Sequence, residues 1–79
     1  MAGIKKIIEK METQPNGIRM AEADKVLQAY GYRLDRQKGS HRHYINNRGD
    51  VITIKEESQL KAVYVKDILE RIKIRSEEN

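Results

Sequence analysis

The sequence predicts an α+β fold in which two helices precede a three-stranded antiparallel sheet and a third helix follows it. Two kinds of spacing predict this order. Apolar residues recur every three or four positions in segments 4–11, 20–30 and 60–72, as in amphipathic helices. Between Tyr32 and Ile54 they alternate with polar residues, and glycine-containing turns interrupt the run, as in a β-meander. The chain of 79 residues has the size of one small domain, so we treat residues 1–79 as a single domain.

Two short helices are expected before the sheet. The first carries the stripe Ile4, Ile7, Ile8 and Met11, and Gln14-Pro15-Asn16-Gly17 ends it because proline cannot continue a helix. The stripe must pack on something, either its own core or another chain. The second stripe is Met20, Ala23, Val26, Leu27 and Tyr30, followed by Gly31 at a position that favours a positive φ.

Three strands are expected next. Tyr32 and Leu34 alternate with Arg33 and Asp35, as in a half-buried strand. Gly39-Ser40 suits a two-residue turn with glycine first, residues 41–46 form the returning strand, and a turn at 46–50 leads to the third strand at 51–54.

A two-residue turn also predicts the register of the hairpin. It places Lys38 opposite His41, Arg36 opposite His43, and Leu34 opposite Ile45. Leu34 and Ile45 would then anchor the face that packs on the helices. His41, His43, Arg36 and Lys38 would continue that face toward the turn, and a one-residue error in the turn would reverse the assignment.

The last helix is predicted from six apolar residues and has about three to four turns. They are Leu60, Tyr64, Val65, Ile68, Leu69 and Ile72. Ser58 is the expected N-cap. Residues 75–79 are expected to form a tail, in which Ser76-Glu77-Glu78-Asn79 is frayed.

Positive charge is concentrated in the middle of the chain. Residues 31–49 hold five basic side chains and one acidic one, which gives +4, while residues 1–30 and 50–79 carry +1 and −1. This segregation favours an anionic partner such as a nucleic acid. His41 lies inside the basic segment, and its imidazole can exchange a proton near neutral pH.

The composition excludes several other classes of site. The absence of cysteine excludes disulfides and thiolate zinc sites. His41 and His43 have no carboxylate at a recognisable ligand spacing, so we expect neither a metal nor another cofactor. No apolar run approaches the length of a membrane span, and the N-terminus lacks the apolar region of a secretory signal, so we expect a cytoplasmic protein.

Several segments together resemble the HicA family of bacterial toxins, which are mRNA interferases of type II toxin–antitoxin systems. The matching segments are Val26-Leu27-Gln28-Ala29-Tyr30-Gly31-Tyr32, Arg36-Gln37-Lys38-Gly39-Ser40-His41, Val51-Ile52-Thr53-Ile54, Leu60-Lys61 and Tyr64-Val65-Lys66-Asp67-Ile68-Leu69. They extend over roughly residues 20–74. The resemblance implies a fold like a double-stranded-RNA-binding domain, α-β-β-β-α, over residues 18–74, with residues 1–15 as an additional N-terminal helix and turn.

The same resemblance implies ribonuclease activity on mRNA and a cognate antitoxin of the HicB family that covers the active site. The essential histidine of the family maps onto His41. One departure concerns the residues after the third strand, where many members have a proline and a histidine and this chain has Lys55-Glu56-Glu57. If that second histidine helps catalysis in other members, it cannot do so here.

On this hypothesis His41 is the general base or acid, and Lys38 and Arg42 stabilise the charge of the phosphate. The residues expected to contact RNA are Arg36, Lys38, Gly39, Ser40, Arg42, His43 and Arg48. His43 is more simply explained as a strand residue that pairs with a neighbour, and Tyr32 and Tyr44 as packing residues. Two other functions are considered: a non-catalytic RNA-binding module, and a protein-interaction domain that acts only through its partner.

Overall fold

The computed structural model describes the backbone of residues 3–78 and the side chains of residues 3–73. Two helices, α1 (Ile4–Thr13) and α2 (Met20–Ala29), are separated by a short 3-10 helix (Pro15–Gly17). Strands β1 (Arg33–Lys38), β2 (His41–Ile45) and β3 (Val51–Lys55) follow, and helix α3 (Ala62–Glu78) comes last. The predicted order of elements and the α+β class are therefore confirmed.

Helix α1 packs on the rest of its own chain. Ile7 and Met11 are buried in the core, and Ile4 and Ile8 pack against it while remaining partly exposed. A polar link joins α1 to α2, since Nζ of Lys10 lies 3.0 Å from Oε2 of Glu22. The apolar stripe of the first helix is thus covered by the core of the domain, which answers the question that the sequence left open.

The sheet has the strand order β1-β2-β3, and both pairs of strands are antiparallel. Gly39 has a φ of +60°, and Lys38 pairs with His41 as the two-residue turn predicts. The pair Arg36–His43 is also confirmed. The predicted pair Leu34–Ile45 is wrong, because the register shifts between Leu34 and Arg36 and brings Leu34 opposite Tyr44.

The helices cover the face of the sheet opposite to the predicted one. Tyr44, Ile52 and Ile54 point into the core, and each is 1% exposed or less. Because side chains alternate along a strand, His41 and His43 lie on the opposite face, which we call the open face. The prediction that the histidines continue the helix-packed face is therefore wrong, and so is its premise that Leu34 and Ile45 anchor that face.

Strand β1 is exposed along its whole length, so the prediction of a half-buried first strand is wrong. Leu34 is 44% exposed, whereas Tyr32, which precedes the strand, is 3% exposed. β1 forms one edge of the sheet, and Tyr32, directly before the strand, is the apolar residue that attaches this edge to the core.

Helix α3 closes the core over the sheet. Val65, Ile68 and Ile72 are buried, as the predicted stripe requires. The helix begins at Ala62 and not after Ser58, because the carbonyl of Lys61 accepts the first helical hydrogen bonds, from the N–H groups of Tyr64 and Val65. It spans 17 residues, which is longer than the predicted three to four turns. The backbone is helical through Glu78, which lies in the predicted tail, and Asn79 lies outside the described residues.

Leu60 precedes this helix and is also buried, and its N–H donates a 2.8 Å hydrogen bond to the carbonyl of Ile18. The buried apolar residues of the helices and of the sheet form one hydrophobic cluster on one side of the sheet.

Within residues 3–78, no helix is both long enough and apolar enough to cross a membrane.

Candidate functional site

His41 lies on the open face at the first position of β2, directly after the Gly39-Ser40 turn. Its side chain is exposed. In the register of the sheet, Lys38 of β1 lies opposite it on one side and Lys55 of β3 on the other. Directly opposite residues have Cβ atoms about 4.5–5.5 Å apart on the same face. The exposed imidazole thus lies between two lysines.

The next position along the open face is also polar and basic. Arg36 pairs with His43, and His43 pairs with Thr53. The Nδ1 of His43 lies 3.0 Å from Oγ1 of Thr53, so this ring is held by the neighbouring strand. The neighbour contact expected for His43 is present, and Arg36 remains exposed beside it.

The turn that presents His41 is tied to the end of β3. The carbonyl of Ser40 accepts a 2.6 Å hydrogen bond from the N–H of Glu56. The side-chain amide of Gln37 donates to the carbonyl of Gly39 at 3.1 Å and to Oε1 of Glu56 at 3.0 Å. These bonds hold the turn, which would otherwise project freely into solvent, in register with the third strand.

Arg42 faces the other side of the sheet and not the side of His41. Its Nε and Nη2 each lie 3.2 Å from an oxygen of Glu56, and its Nη1 donates to the hydroxyl of Tyr44 at 3.3 Å. These two partners raise the pKa of the Arg42 guanidinium. The structure therefore separates Arg42 from His41 and pairs it within the protein.

The hydroxyl of Tyr44 extends this network to the second helix. It donates a 2.6 Å hydrogen bond to Oδ1 of Asp24. Burial, together with the hydrogen bond to the carboxylate, raises the pKa of Tyr44 to about 12. Tyr44 is fully buried, which confirms that it is a packing residue and leaves it unable to stack on a base.

Arg48 is likewise separated from His41. It lies in the turn between β2 and β3, at the opposite end of β2. The four residue steps from His41 to Ile45 alone span about 13 Å. The turn is organised by Asn46, whose Oδ1 accepts hydrogen bonds from the N–H groups of Arg48 and Asp50 at 3.0 and 2.9 Å.

Asp50 joins this second turn to the core. It accepts a 2.6 Å hydrogen bond from the hydroxyl of Tyr32 and forms an ion pair with Arg71 of α3. Burial opposes ionisation of this carboxyl, but the bonds from Tyr32 and Arg71 outweigh it and lower the pKa of Asp50. The 3% exposure of Tyr32 confirms that it, too, is a packing residue.

Lys55 is the residue of this site that sequence reasoning missed. Its position beside His41 follows from the pairing of β2 with β3 across the turn at 46–50, which the register of the first hairpin does not predict. Val51 and Thr53, the other residues of β3 on the open face, carry no charge. Lys55 is thus the cation that the third strand adds beside His41.

No group of three or more histidine, aspartate and glutamate side chains suited to hold a metal ion occurs in the part of the chain that the structure describes. Separately, an imidazole beside positively charged side chains is a group that can donate or accept a proton.

Comparison with known proteins gave one match. The family model described as HicA toxin of bacterial toxin–antitoxin matches residues 20–74. This range includes α2, the three strands and most of α3, and it leaves α1 outside. No curated protein and no solved structure matches the chain.

Proposed function

Because the chain belongs to the HicA family of bacterial toxin–antitoxin toxins, we propose that it is a ribonuclease that cleaves mRNA, with His41 as its acid–base catalyst. One observation supports this most strongly. The only exposed imidazole among the described side chains lies beside Lys38, on the face of the sheet that the helices leave uncovered. A single-stranded RNA can reach that face without any rearrangement of the core.

The reaction needs two proton transfers and a neutralised phosphate. A base removes the proton of the ribose 2′-OH, the 2′-oxygen bonds to phosphorus, and the P–O5′ bond breaks as an acid protonates the leaving 5′-oxygen. His41 serves one of these two transfers, and such general acid–base help is worth about 10²–10⁴-fold in rate. Lys38 offsets the negative charge that develops on the phosphate oxygens.

The RNA-binding surface in this proposal is narrower than the one inferred from the sequence. It keeps Arg36, Lys38, the Gly39-Ser40 turn and His43, which surround His41. Arg42 and Arg48 are left out, because the first is paired with Glu56 on the opposite face and the second lies in the other turn. The partners are an mRNA substrate and a cognate HicB-like antitoxin protein that covers this face.

The test compares the wild type with His41→Ala and His43→Ala on a defined RNA in the presence of EDTA. We expect the wild type to cleave, leaving a 5′-OH on the downstream product. His41→Ala should be slower by at least about 10²-fold, and His43→Ala should bind RNA less tightly but still cleave. Equal cleavage by wild type and His41→Ala, equal loss in both variants, or no cleavage in EDTA would contradict the proposal.

The same proteins are then expressed in bacteria with and without the antitoxin. Wild type alone should arrest growth and degrade mRNA, and the antitoxin should reverse both effects. His41→Ala should allow growth in either case. Growth arrest by His41→Ala equal to that by the wild type would contradict a catalytic role for His41.

A non-catalytic RNA-binding module is the second candidate. It is favoured by the neighbours of His41 in the register of the sheet, which are both lysines and not a second imidazole or a carboxylate. Such a module would bind RNA with a strong dependence on salt and leave it intact. Binding without cleavage by the wild type would identify it.

A further inference from the structure

We propose that Lys55 binds the RNA phosphate at which His41 acts, from the side opposite to Lys38. This inference rests on the proposed function and adds a residue to the site. Its basis is the register of the sheet, in which Lys38, His41 and Lys55 lie side by side on three adjacent strands. A phosphate placed over the imidazole would then meet one ammonium group from each side.

The distances across the sheet allow this arrangement. Adjacent strands are about 4.7–4.9 Å apart, so the backbones of Lys38 and Lys55 lie roughly 10 Å apart with His41 midway. Each lysine carries its ammonium on a flexible four-carbon stem and can lean toward the centre. The side chain of Lys55 is 40% exposed, so its ammonium is accessible from solvent.

The end of β3 is held firmly enough to keep Lys55 beside His41. The next residue, Glu56, donates its N–H to the carbonyl of Ser40, and its carboxylate accepts bonds from Gln37 and Arg42 on the opposite face. These contacts join β3 to both strands of the first hairpin. The backbone pairing of β3 with β2 and the bond from Glu56 to Ser40 therefore keep Lys55 beside His41 without using its own side chain.

The present partner of Lys55 is one that a phosphate can replace. Its Nζ lies 3.9 Å from Oε1 of Glu57, which is too long for a hydrogen bond and leaves a weak ion pair. An RNA phosphate oxygen would compete with the Glu57 carboxylate for this ammonium group. We therefore expect that removing the charge of the Glu57 carboxylate strengthens RNA binding.

The first experiment measures binding of a short single-stranded RNA in the His41→Ala background, so that cleavage does not interfere. Lys55→Ala is compared with Lys55→Arg and with Lys25→Ala, which removes an exposed lysine from α2. The slope of log K against log salt should fall by about 0.7 in Lys55→Ala and stay unchanged in Lys25→Ala and Lys55→Arg. A slope unchanged in Lys55→Ala, or lowered equally in Lys25→Ala, would overturn the inference.

The second experiment measures single-turnover cleavage with His41 present. Lys55→Ala should slow the chemical step by about 10-fold. This loss of rate is smaller than in an enclosed site because the open face is accessible to water. Lys55→Arg, which keeps the positive charge, should retain most of the wild-type rate. Glu57→Gln should bind RNA about two- to fivefold more tightly than the wild type. Full-rate cleavage by Lys55→Ala, or a loss of affinity in Glu57→Gln, would contradict the role of Lys55.

The two proposals fail in different ways. If the wild type cleaves, His41→Ala does not, and Lys55→Ala matches the wild type in both assays, the ribonuclease function stands and the inference about Lys55 is wrong. If the wild type binds RNA with a salt slope that depends on Lys55 but does not cleave it, the phosphate contact stands and the ribonuclease function is wrong. Thermal unfolding of each variant checks that it is folded, and substitutions at these exposed or half-buried positions should change stability by little.

Discussion

Arg42 belongs to the basic segment of the sequence, but Arg42→Ala should destabilise the fold without weakening the binding of RNA phosphates by the protein. Its guanidinium makes two 3.2 Å contacts with Glu56 and one contact with Tyr44. The side chains of Arg42 and Glu56 are 23% and 39% exposed. The pair therefore lies between an exposed ion pair and a buried one.

These exposures give the expected magnitude. Exposed ion pairs contribute about 0.2–1 kcal/mol, and removing one partner of a buried pair costs about 3–5 kcal/mol. For two half-buried partners with bidentate geometry we expect a coupling free energy of about 1–2 kcal/mol. If Arg42→Ala loses this free energy of unfolding, its Tm should decrease by roughly 5–15 °C in a domain of this size.

The assay is a double-mutant cycle on urea unfolding, with the wild type, Arg42→Ala, Glu56→Ala and the double variant. The double variant should lose less free energy of unfolding than the sum of the losses in the two single variants. A coupling free energy below about 0.3 kcal/mol would refute the reasoning, because independent sites add to within that error.

Arg36→Ala is the matched control, since Arg36 is an exposed arginine of the same hairpin on the open face. It should change the free energy of unfolding by less than about 0.5 kcal/mol. In the His41→Ala background it should lower the salt slope of RNA binding by about 0.7, and Arg42→Ala should leave that slope unchanged. A lowered slope in Arg42→Ala would show that this guanidinium binds phosphate after all.

Two further predictions concern the core and the pH dependence of stability. Met11→Ala should lower the free energy of unfolding by about 2–5 kcal/mol in urea, because Met11 is fully buried even though α1 lies outside the family match. Lys5→Ala, on the exposed side of the same helix, is the control. Equal effects of the two substitutions would contradict packing of α1 into the core. The lowered pKa of Asp50 means that its bonds to Tyr32 and Arg71 add stability above the ordinary pKa of 3.8 and lose it as the pH falls through the lower folded value. Thermal unfolding between pH 2 and pH 6 should therefore show a smaller acid destabilisation in Asp50→Asn than in the wild type, and parallel curves would contradict this.

Local patterns in the sequence predicted the helices, the turns and the order of the strands. Helix stripes need only a spacing of three to four residues, and α1 and α2 begin at the first residue of each predicted stripe. The turn at Gly39 is similarly local, because the positive φ it requires favours glycine. The pairs Lys38–His41 and Arg36–His43 next to the turn follow directly from its length.

Errors arose where a prediction depended on residues distant in sequence. The irregularity between Leu34 and Arg36 places Leu34 opposite Tyr44 and Arg36 opposite His43, so these two residues of β1 lie on different faces and Leu34 does not mark the face of the histidines. Ser58 resembled a helix N-cap, but the N–H of Leu60 donates a hydrogen bond to the carbonyl of Ile18, and the helix begins only at Ala62. Neither the register shift nor the bond between Leu60 and Ile18 can be predicted from the spacing of residues along the chain.

The sequence by itself determined that His41 is presented by a tight turn within a basic segment, because a glycine turn and a count of charges are local properties. Only the tertiary structure decided which of those charges stand beside His41. Pairing of β3 with β2 brought Lys55 to the open face, and the alternation of side chains sent Arg42 to the other face, where Glu56 binds it. The physical reason is that strand pairing joins residues far apart in the chain, while the pleat decides the face on which each one points.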